Sequence, residues 1–201
     1  MDRAFVNLYI ASLTNLTIGP VYPEARQAQL DSTQNEKARL QRYAVWKLLQ
    51  YAVEHSLGLP FQSLTLECDG SKWTCKECFF SLSHCDGAVA VAVSDKPVGV
   101  DIEPAGRQIS PGIARKILTE GELSVHNALP EENQRPYLLE KWCIKESLFK
   151  AGFDGMFHSR REQSSRYASA DIISLSGSEY QYAIATPIPE KVSIFTDAEP
   201  R

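Results

Sequence analysis

Hydrophobic residues recur along the chain at two different spacings, and each change of spacing marks the end of a strand or a helix. Residues 4–13 form a run of strand length that mixes β-branched, aromatic and polar residues, and residues 88–93 form a valine-rich run typical of a buried strand. Between them, residues 35–57 carry apolar positions on one broad helical face, and Gly58 and Pro60 follow as stop signals. The first half is therefore predicted to contain a strand, a helix and further strands.

The second half follows the same plan. Residues 98–103 have the composition of a strand. The link at residues 94–97 is so short that the strands on either side of it are expected to pair antiparallel. The later elements are predicted as helices at 111–118, 120–129 and 135–151 and as strands at 170–175, 180–186 and 191–195. We therefore predict an α+β fold of two similar halves, residues 1–95 and 96–201, each a small antiparallel sheet packed with helices, with the functional site between them.

Composition and charge exclude several classes of function. With 201 residues, 43% of them hydrophobic, the chain can bury a substantial core. No stretch approaches the roughly 18 apolar residues of a membrane span, and the first residues do not have the pattern of a signal peptide. The net charge of −4 argues against a general nucleic-acid-binding protein, which is normally basic. These features predict a cytoplasmic protein that binds neither membranes nor nucleic acid.

The five cysteines leave two interpretations open. An odd number without a secretory context favours reduced thiols over a disulfide framework. Four of them cluster, at Cys68, Cys75, Cys78 and Cys85, and the middle two form a C-x-x-C pair of the kind found in zinc and redox sites. The other two are not spaced as a second such pair, so free thiols are the favoured interpretation.

A helix predicted at residues 141–150 places charged groups on one face. Trp142, Glu146 and Lys150 fall at i, i+4 and i+8, so a ring, a carboxylate and an ammonium lie in a row. Trp142 is expected to pack in the core and Lys145 to be a solvated charge. A surface ion pair between Glu146 and Lys150 would give the same pattern, but so many apolar residues surround them that a cleft is favoured.

The strand at residues 98–103 adds two more carboxylates. Asp101 and Glu103 are two residues apart and therefore point to the same side, and Gly99 would allow another backbone to approach closely. Hydrated side chains at a strand end would look the same. Together with Glu146 and Lys150, however, these carboxylates suit a hard divalent cation and the phosphate groups that it bridges.

The two stretches together resemble the paired signatures of the 4′-phosphopantetheinyl transferases. Residues 98–103 match G-[VI]-D-x-E, and residues 142–150 match W-x-x-K-E-[AS]-x-x-K, in the order and at the separation of the family. The resemblance extends back to residues 80–84, which are similar to the segment F-N-[LIV]-S-H-S, and to a helix near Arg39, where the family has a substrate-binding arginine. It covers about residues 36–152.

The resemblance implies transfer of the 4′-phosphopantetheine arm of coenzyme A to a serine hydroxyl of an acyl or peptidyl carrier protein, with release of adenosine 3′,5′-bisphosphate. It implies the pseudo-dimeric, surfactin-synthetase-activating type, which is a monomer. It also implies Mg²⁺ held by Asp101, Glu103 and Glu146, with Asp101, Glu146 and Lys150 as catalytic residues and either Glu146 or a water on the metal as the base. Lys76 competes with Lys72 as the lysine implied to contact coenzyme A. The residues implied to bind coenzyme A are Arg39, Lys72, Ser83, His84, Asp101 and Lys150.

Three positions depart from the family pattern. Ser81 and Cys85 stand where the family has asparagine and serine, which puts any contact from those side chains in doubt. Residues 152–155 lack the basic residue that often lies between the two glycines, which could alter how this loop closes on substrate.

A carrier protein would need a docking surface on this chain, and two other functions stay possible. Carrier proteins are typically acidic around the modified serine, so an acidic enzyme needs a local basic and apolar patch. The expected patch is Arg115, Lys116, Ile117 and Leu118, with Arg160 and Arg161 as second choice. An ordinary amphipathic helix is the alternative. The rival functions are another Mg²⁺-dependent phosphoryl or nucleotidyl transferase, and a non-catalytic module that binds coenzyme A or a carrier protein.

Overall fold

The computed structural model describes residues 4–13, 19–70, 72–153 and 167–196. The elements, in chain order, are β1 (Val6–Ser12), α1 (Glu24–Asp31), α2 (Glu36–Leu57), β2 (Leu66–Asp69), β3 (Lys72–Cys75), β4 (Phe79–Cys85), β5 (Ala88–Ser94), β6 (Gly99–Pro104), α3 (Pro111–Ile117), α4 (Glu120–Ala128), α5 (Glu131–Lys150), β7 (Ala168–Leu175), β8 (Ser178–Ala185) and β9 (Val192–Phe195). Among these described residues, no helix is long and apolar enough to cross a membrane.

Local signals in the sequence fix the ends of the helices. The Asn35 side chain accepts a hydrogen bond from the Ala38 amide at 2.9 Å and caps α2, which ends at Gly58 in the left-handed conformation with φ 67°. Thr119 and Glu122 form a capping box at the start of α4. Only α5 begins clearly earlier than the sequence predicts. Most element boundaries therefore follow from residues within a few positions of them.

The described strands form two main sheets and a separate hairpin. The first sheet has the order β4-β5-β1-β9, with β9 parallel to β1 and the other neighbours antiparallel. The second has the order β6-β8-β7 and is antiparallel throughout, and β2 pairs with β3 as a hairpin. The fold is α+β, as predicted. Strand β9, which the sequence assigns to the second half, completes the sheet of the first.

The two sheets stack between two helices. Helix α2 packs on one face of the first sheet through a cluster that includes Trp46 and Val91. The opposite face packs on β6 and β8 of the second sheet, and the far face of the second sheet carries α5 through Leu139 and Ala183. Because alternate residues of a strand face opposite sides, Asp101 of β6 points to the side that α5 covers. The layering thus brings the two signature stretches together.

The expected antiparallel pair of β5 and β6 does not form. Strand β6 pairs instead with β8, with Asp101 opposite Ala183. The link after β5 is held at the start of β1, because the Phe5 amide donates to Asp95 Oδ1 at 3.1 Å and the Ser94 hydroxyl donates to the Phe5 carbonyl at 2.9 Å. The chain is therefore directed out of the first sheet, and β6 begins the second.

Serine hydroxyls join the sheets where β4 lies beside β6. The Ser81 hydroxyl accepts a hydrogen bond from the Val100 amide at 3.0 Å, and the Ser83 hydroxyl accepts one from the Ile102 amide at 3.2 Å. Buried amides need partners, and these two lie on the edge of β6 that faces away from β8. Side-chain hydroxyls thus take the place of a backbone ladder at this joint.

Candidate functional site

Asp101 lies at the joint between the sheets and is 4% exposed. Its Oδ1 accepts hydrogen bonds from Lys150 Nζ at 2.8 Å and from the Ser83 hydroxyl at 2.9 Å. Lys150 Nζ also donates to the Val100 carbonyl at 3.0 Å and to the Ser83 hydroxyl at 3.2 Å. Asp101 Oδ2 is buried and has no hydrogen-bond partner among the described residues. A buried carboxylate oxygen left unpaired is costly, so this oxygen is available for a ligand.

Gly99 allows α5 to come this close to β6. A Cβ atom at this position would lie 1.9 Å from the Ser147 carbonyl oxygen and 2.6 Å from the Ala151 amide nitrogen. The sequence-based prediction that Gly99 permits close approach of another backbone is confirmed. This contact sets the distance at which the side chains of α5 meet Asp101.

Glu146 is the second carboxylate that the structure brings close to Asp101. Its side chain is half-buried on α5. Burial raises the pKa of Glu146 above its ordinary value, and the negative charge of Asp101 raises it further, whereas Lys150 and Arg107 act in the opposite direction. Asp101 and Glu146 are therefore close enough to repel each other, which favours a cation between them.

Glu103, the third predicted carboxylate, is engaged by an ion pair. Its partner is Arg107, whose guanidinium carbon lies 5.2 Å from the centroid of the Trp142 ring. Trp142 itself packs beside the apolar clusters of α5, as predicted. Two of the three carboxylates are thus already paired with a cation, Asp101 through Oδ1 and Glu103 through Arg107, and Asp101 keeps Oδ2 unpaired among the described residues.

These residues fit a hard divalent cation only in part. Within the described part of the chain, no group of three or more His, Cys, Asp and Glu side chains is arranged to hold a metal ion. The unpaired Oδ2 of Asp101 and the repulsion between Asp101 and Glu146 both favour Mg²⁺, which binds carboxylate, water and phosphate oxygens. Glu103 already has one oxygen engaged by Arg107, so it could join them only in competition with that guanidinium charge.

A cationic cleft of about 760 Å³ opens beside Lys150. Among the described residues that line it are five nitrogen bases or cations and no carboxylate, namely Arg26, Arg42, Lys72, His84 and Lys150. Trp73, Phe80 and Phe149 add aromatic surface. This volume lies within the roughly 300–1,000 Å³ of small-molecule sites, and the charge suits a ligand with several phosphate groups.

Arg26 is a buried cation in this cleft and is 9% exposed. It donates to Gln29 Oε1 and to the Arg42 carbonyl, both at 3.1 Å, and its guanidinium carbon lies 4.7 Å from the centroid of the Trp46 ring. Burial lowers the pKa of Arg26, and the positive charge of Arg42 lowers it further. It forms no ion pair with a described carboxylate. An anionic ligand would supply the missing charge.

Neither Arg26 nor Arg42 is predicted from the sequence. Arg42 could have been found, because it follows Arg39 by three residues on the same helix and so lies near the same face. Arg26 carries no local signal, since it reaches the cleft only through the packing of α1 on α2.

Lys72 and His84 line the cleft, as expected for residues that contact a substrate. Lys76, the competing choice for the role of Lys72, is not among the lining residues. Partial desolvation lowers the pKa of His84, and the nearby charge of Lys150 lowers it further, so the ring is neutral at pH 7.

Ser83 and Arg39 do not line the cleft. Ser83 is 6% exposed, and its hydroxyl is fully used by Asp101, Lys150 and the Ile102 amide. It therefore orients the side chains of Asp101 and Lys150. Arg39 is half-buried on α2, and its Nε is buried without a hydrogen-bond partner among the described residues.

The interpretation of Lys145 as a solvated charge is wrong. Its side chain is 0% exposed and forms an ion pair with Glu122 Oε2 at 3.2 Å. The same carboxylate accepts a hydrogen bond from the Thr119 amide at 2.9 Å as part of the capping box. Helix α4 therefore covers this face of α5, and Lys145 ties the two helices together.

The cysteines are five free thiols. Cys75 donates to Glu77 Oε2 at 3.1 Å, Cys68 is exposed, and Cys78 and Cys85 are buried. Burial raises the pKa of Cys85 to about 12 and also raises that of Cys78. Protonated thiols of this kind are poor metal ligands and poor nucleophiles.

The apolar half of the expected carrier-protein patch is wrong. Ile117 and Leu118 are buried in a cluster between α3 and α5, because their helix turns its apolar face inward. Arg115 and Lys116 are exposed. The second choice, Arg160 and Arg161, lies outside the described residues.

Comparisons with known proteins all lead to one family. A family model described as the 4′-phosphopantetheinyl transferase superfamily matches residues 97–195, which include both signature stretches. The chain is 30% identical over 107 residues to the 4′-phosphopantetheinyl transferase psf-1 of Bacillus pumilus, covering 51% of this chain and 46% of that protein.

Two further relatives carry the same description. The chain is 37% identical over 78 residues to gsp of Aneurinibacillus migulanus, covering 39% of this chain and 32% of that protein. It is 32% identical over 77 residues to Sfp of Bacillus subtilis (strain 168), covering 38% of this chain and 34% of that protein. The matches thus span less than half the length of each relative. Together with the signature residues around Asp101 and Lys150, they assign residues 97–195 to the 4′-phosphopantetheinyl transferase superfamily.

Proposed function

We propose that this chain transfers the 4′-phosphopantetheine arm of coenzyme A to a serine hydroxyl of an acyl or peptidyl carrier protein, releasing adenosine 3′,5′-bisphosphate. The observation that carries the proposal is the continuity of the cationic cleft with Asp101. Lys150 lines the cleft and also donates to Asp101 Oδ1 at 2.8 Å. A ligand whose phosphates fill the cleft would therefore meet the carboxylates at one end.

Coenzyme A matches the charge of the cleft. It carries a 3′-phosphate and a diphosphate, and the cleft presents Arg26, Arg42, Lys72 and Lys150 without a described carboxylate among its lining residues. Trp73 and Phe80 offer apolar and aromatic surface for the adenine ring. Asp101 holds the Lys150 ammonium and does not itself line the cleft. Arg39 stays a weaker candidate for a phosphate contact.

The reacting groups have separate roles. Attack of the serine oxygen on the phosphorus next to pantetheine forms a new P–O bond, breaks the bond between the two phosphates, and requires loss of the hydroxyl proton. Lys150 would neutralise the diphosphate, and Asp101 and Ser83 hold its ammonium in place. In the metal-free site the raised pKa of Glu146 makes it a candidate proton acceptor, a role that direct binding to Mg²⁺ would weaken.

We propose that the transfer reaction depends on Mg²⁺. Asp101 and Glu146 would hold it, with Glu103 as a third ligand after release from Arg107. When bound, the ion would offset negative charge that develops on the leaving phosphate.

The proposal extends to the oligomeric state, the cellular location and the surface that contacts the carrier protein. We propose a monomer of two similar halves, because one chain supplies both walls of the cleft. Five free thiols suit a reducing compartment, so we place the enzyme in the cytoplasm. The exposed pair Arg115 and Lys116 is the candidate contact for an acidic carrier protein.

Mass spectrometry of the carrier protein tests the proposal directly. The protein is incubated with coenzyme A, Mg²⁺ and an apo carrier protein, and the intact carrier is expected to gain one phosphopantetheine group. Transfer of a different part of coenzyme A, or of a phosphoryl group from a nucleoside triphosphate, would support the rival transferase. Binding of coenzyme A without any transfer, across several carriers, would support the non-catalytic module.

Asp101→Asn is the matching variant. It keeps the shape of the side chain but removes the charge that holds Lys150, so turnover is expected to fall at least about a hundredfold while coenzyme A binding changes little. Asp171→Asn, which alters an exposed strand carboxylate, is the control and should behave as wild type. Equal rates for both variants would mean that Asp101 has no part in the reaction.

A further inference from the structure

Arg107 holds one carboxylate of the candidate site. A turn in which the Arg107 amide donates to the Pro104 carbonyl at 2.9 Å brings the side chain back onto Glu103, with which it forms an ion pair. The Glu103 side chain is 14% exposed, so the pair is largely shielded from solvent. The Arg107 guanidinium carbon also lies 5.2 Å from the centroid of the Trp142 ring.

The three carboxylates of the site are therefore not equivalent. Asp101 is paired with Lys150 through Oδ1 but keeps a buried Oδ2 with no hydrogen-bond partner, and Glu146 forms no ion pair, among the described residues. Glu103 alone is neutralised by a guanidinium. The Glu103 oxygen that faces Arg107 is already used by this contact, and the charge of the guanidinium opposes the binding of a second cation at the same carboxylate. The position of the guanidinium beside Glu146, whose pKa it lowers, shows that its charge also reaches the rest of the cluster.

We propose that Arg107 competes with the divalent metal for Glu103 and thereby sets the affinity of the site for that metal. The inference rests on the metal assignment of the proposed function. In the metal-free protein the guanidinium neutralises Glu103, which lies two residues from Asp101 on the same side of β6. When the metal binds, Glu103 exchanges the ion pair for a metal contact, and the guanidinium stays over the face of Trp142, which stabilises a cation.

A titration with Mn²⁺ tests the competition without any substrate. Free Mn²⁺ is measured by electron paramagnetic resonance in the absence of coenzyme A and carrier protein. Arg107→Met removes the charge but keeps an aliphatic stem over Trp142, so the Kd for Mn²⁺ is expected to fall about fivefold, the equivalent of one modest ion pair. Arg107→Lys keeps the charge and should stay within about twofold of wild type. Arg107→Gln is a second neutral variant.

Lys141 offers a matched control on α5. It forms an ion pair with Glu140 at 3.1 Å and lies 5.1 Å from the centroid of the Tyr137 ring, so its surroundings resemble those of Arg107. Lys141→Met removes the same charge without touching Glu103, and the Kd for Mn²⁺ should not change. A general effect of net charge would lower the Kd in this variant as well and would overturn the proposal.

The Glu103→Gln background identifies the carboxylate involved. In that background Arg107→Met is expected to give no further gain in Mn²⁺ affinity, because no carboxylate remains for which the two cations compete. An unchanged Kd in Arg107→Met alone, or the same gain with and without Glu103, would overturn the inference and leave the metal site intact. Failure of the wild-type protein to bind Mn²⁺ would overturn both the inference and the metal assignment.

Discussion

Replacing Gly99 with alanine should inactivate the protein by moving a helix rather than by removing a functional group. The added Cβ would lie 1.9 Å from the Ser147 carbonyl oxygen and 2.6 Å from the Ala151 amide nitrogen. Real Cβ contacts are essentially never shorter than 3.0 Å, so α5 and β6 must separate by about 1 Å. Neither atom belongs to a flexible side chain, so the backbone itself must move.

Two magnitudes follow from this separation. Overpacking costs about 1–3 kcal/mol, and a backbone clash belongs at the upper end of that range. For a chain of this size, each kcal/mol lowers Tm by about 2–4 °C, which gives an expected decrease of about 6–12 °C. The contact of Lys150 Nζ with Asp101 Oδ1, now 2.8 Å, would be lost, and a misplacement of about 1 Å can cost about a hundredfold in rate.

The assay compares Gly99→Ala with Gly121→Ala by thermal unfolding and by the initial rate of phosphopantetheine transfer. A Cβ at Gly121, in the first turn of α4, would meet nothing within 4 Å, so that variant should match wild type in both measurements. A Gly99→Ala protein with the Tm and rate of wild type would refute the close contact of β6 with α5. A lower Tm with a normal rate would refute its link to the site.

Three further changes test separate features. Lys145→Met leaves Glu122 without its partner, so the free energy of unfolding in urea should fall by about 3 kcal/mol, and wild-type stability would contradict the buried pair. The pKa of Glu146 is higher in the folded protein than in the unfolded chain. The free energy of unfolding therefore falls as pH rises from the ordinary pKa of a glutamate to the raised pKa of Glu146 in the folded protein. Glu146→Gln should therefore raise the Tm of the metal-free protein at pH 7, and the gain should vanish below about pH 4.3, as a pH series of melting curves would show. Arg26→Met should weaken coenzyme A binding about tenfold in calorimetry, and Arg39→Met should weaken it less, because Arg26 lines the cleft and Arg39 does not. The reverse order of the two variants would contradict this assignment.

Local sequence signals were sufficient for most elements and for the two signature stretches. The helix that begins after Asn35 and the strand of residues 88–93 each have their own spacing and end signals, so neither depends on the rest of the chain. The side of β6 that carries Asp101 follows from strand alternation, and the face of α5 that carries Glu146 and Lys150 follows from helical spacing.

The remaining features depend on contacts between distant segments. Lys145 is buried because α4 packs across its face of α5, and no spacing rule predicts which helix covers which surface. Strand β6 pairs with β8 because the link after β5 is held by Phe5, ninety residues away in sequence from Asp95. Arg26 enters the cleft by the packing of α1 on α2. Arg107 reaches Glu103 through a turn whose direction the sequence does not specify.

The hydroxyl of Ser83 couples the integrity of the joint between the sheets to the state of the site. The same oxygen accepts the Ile102 amide from across the joint and contacts both Asp101 and Lys150. Local opening of the joint therefore cannot occur without release of these side chains. Hydrogen exchange at the Ile102 amide would consequently report on the alignment of Asp101 and Lys150, and a ligand that tightens the site should slow that exchange although Ile102 does not line the cleft.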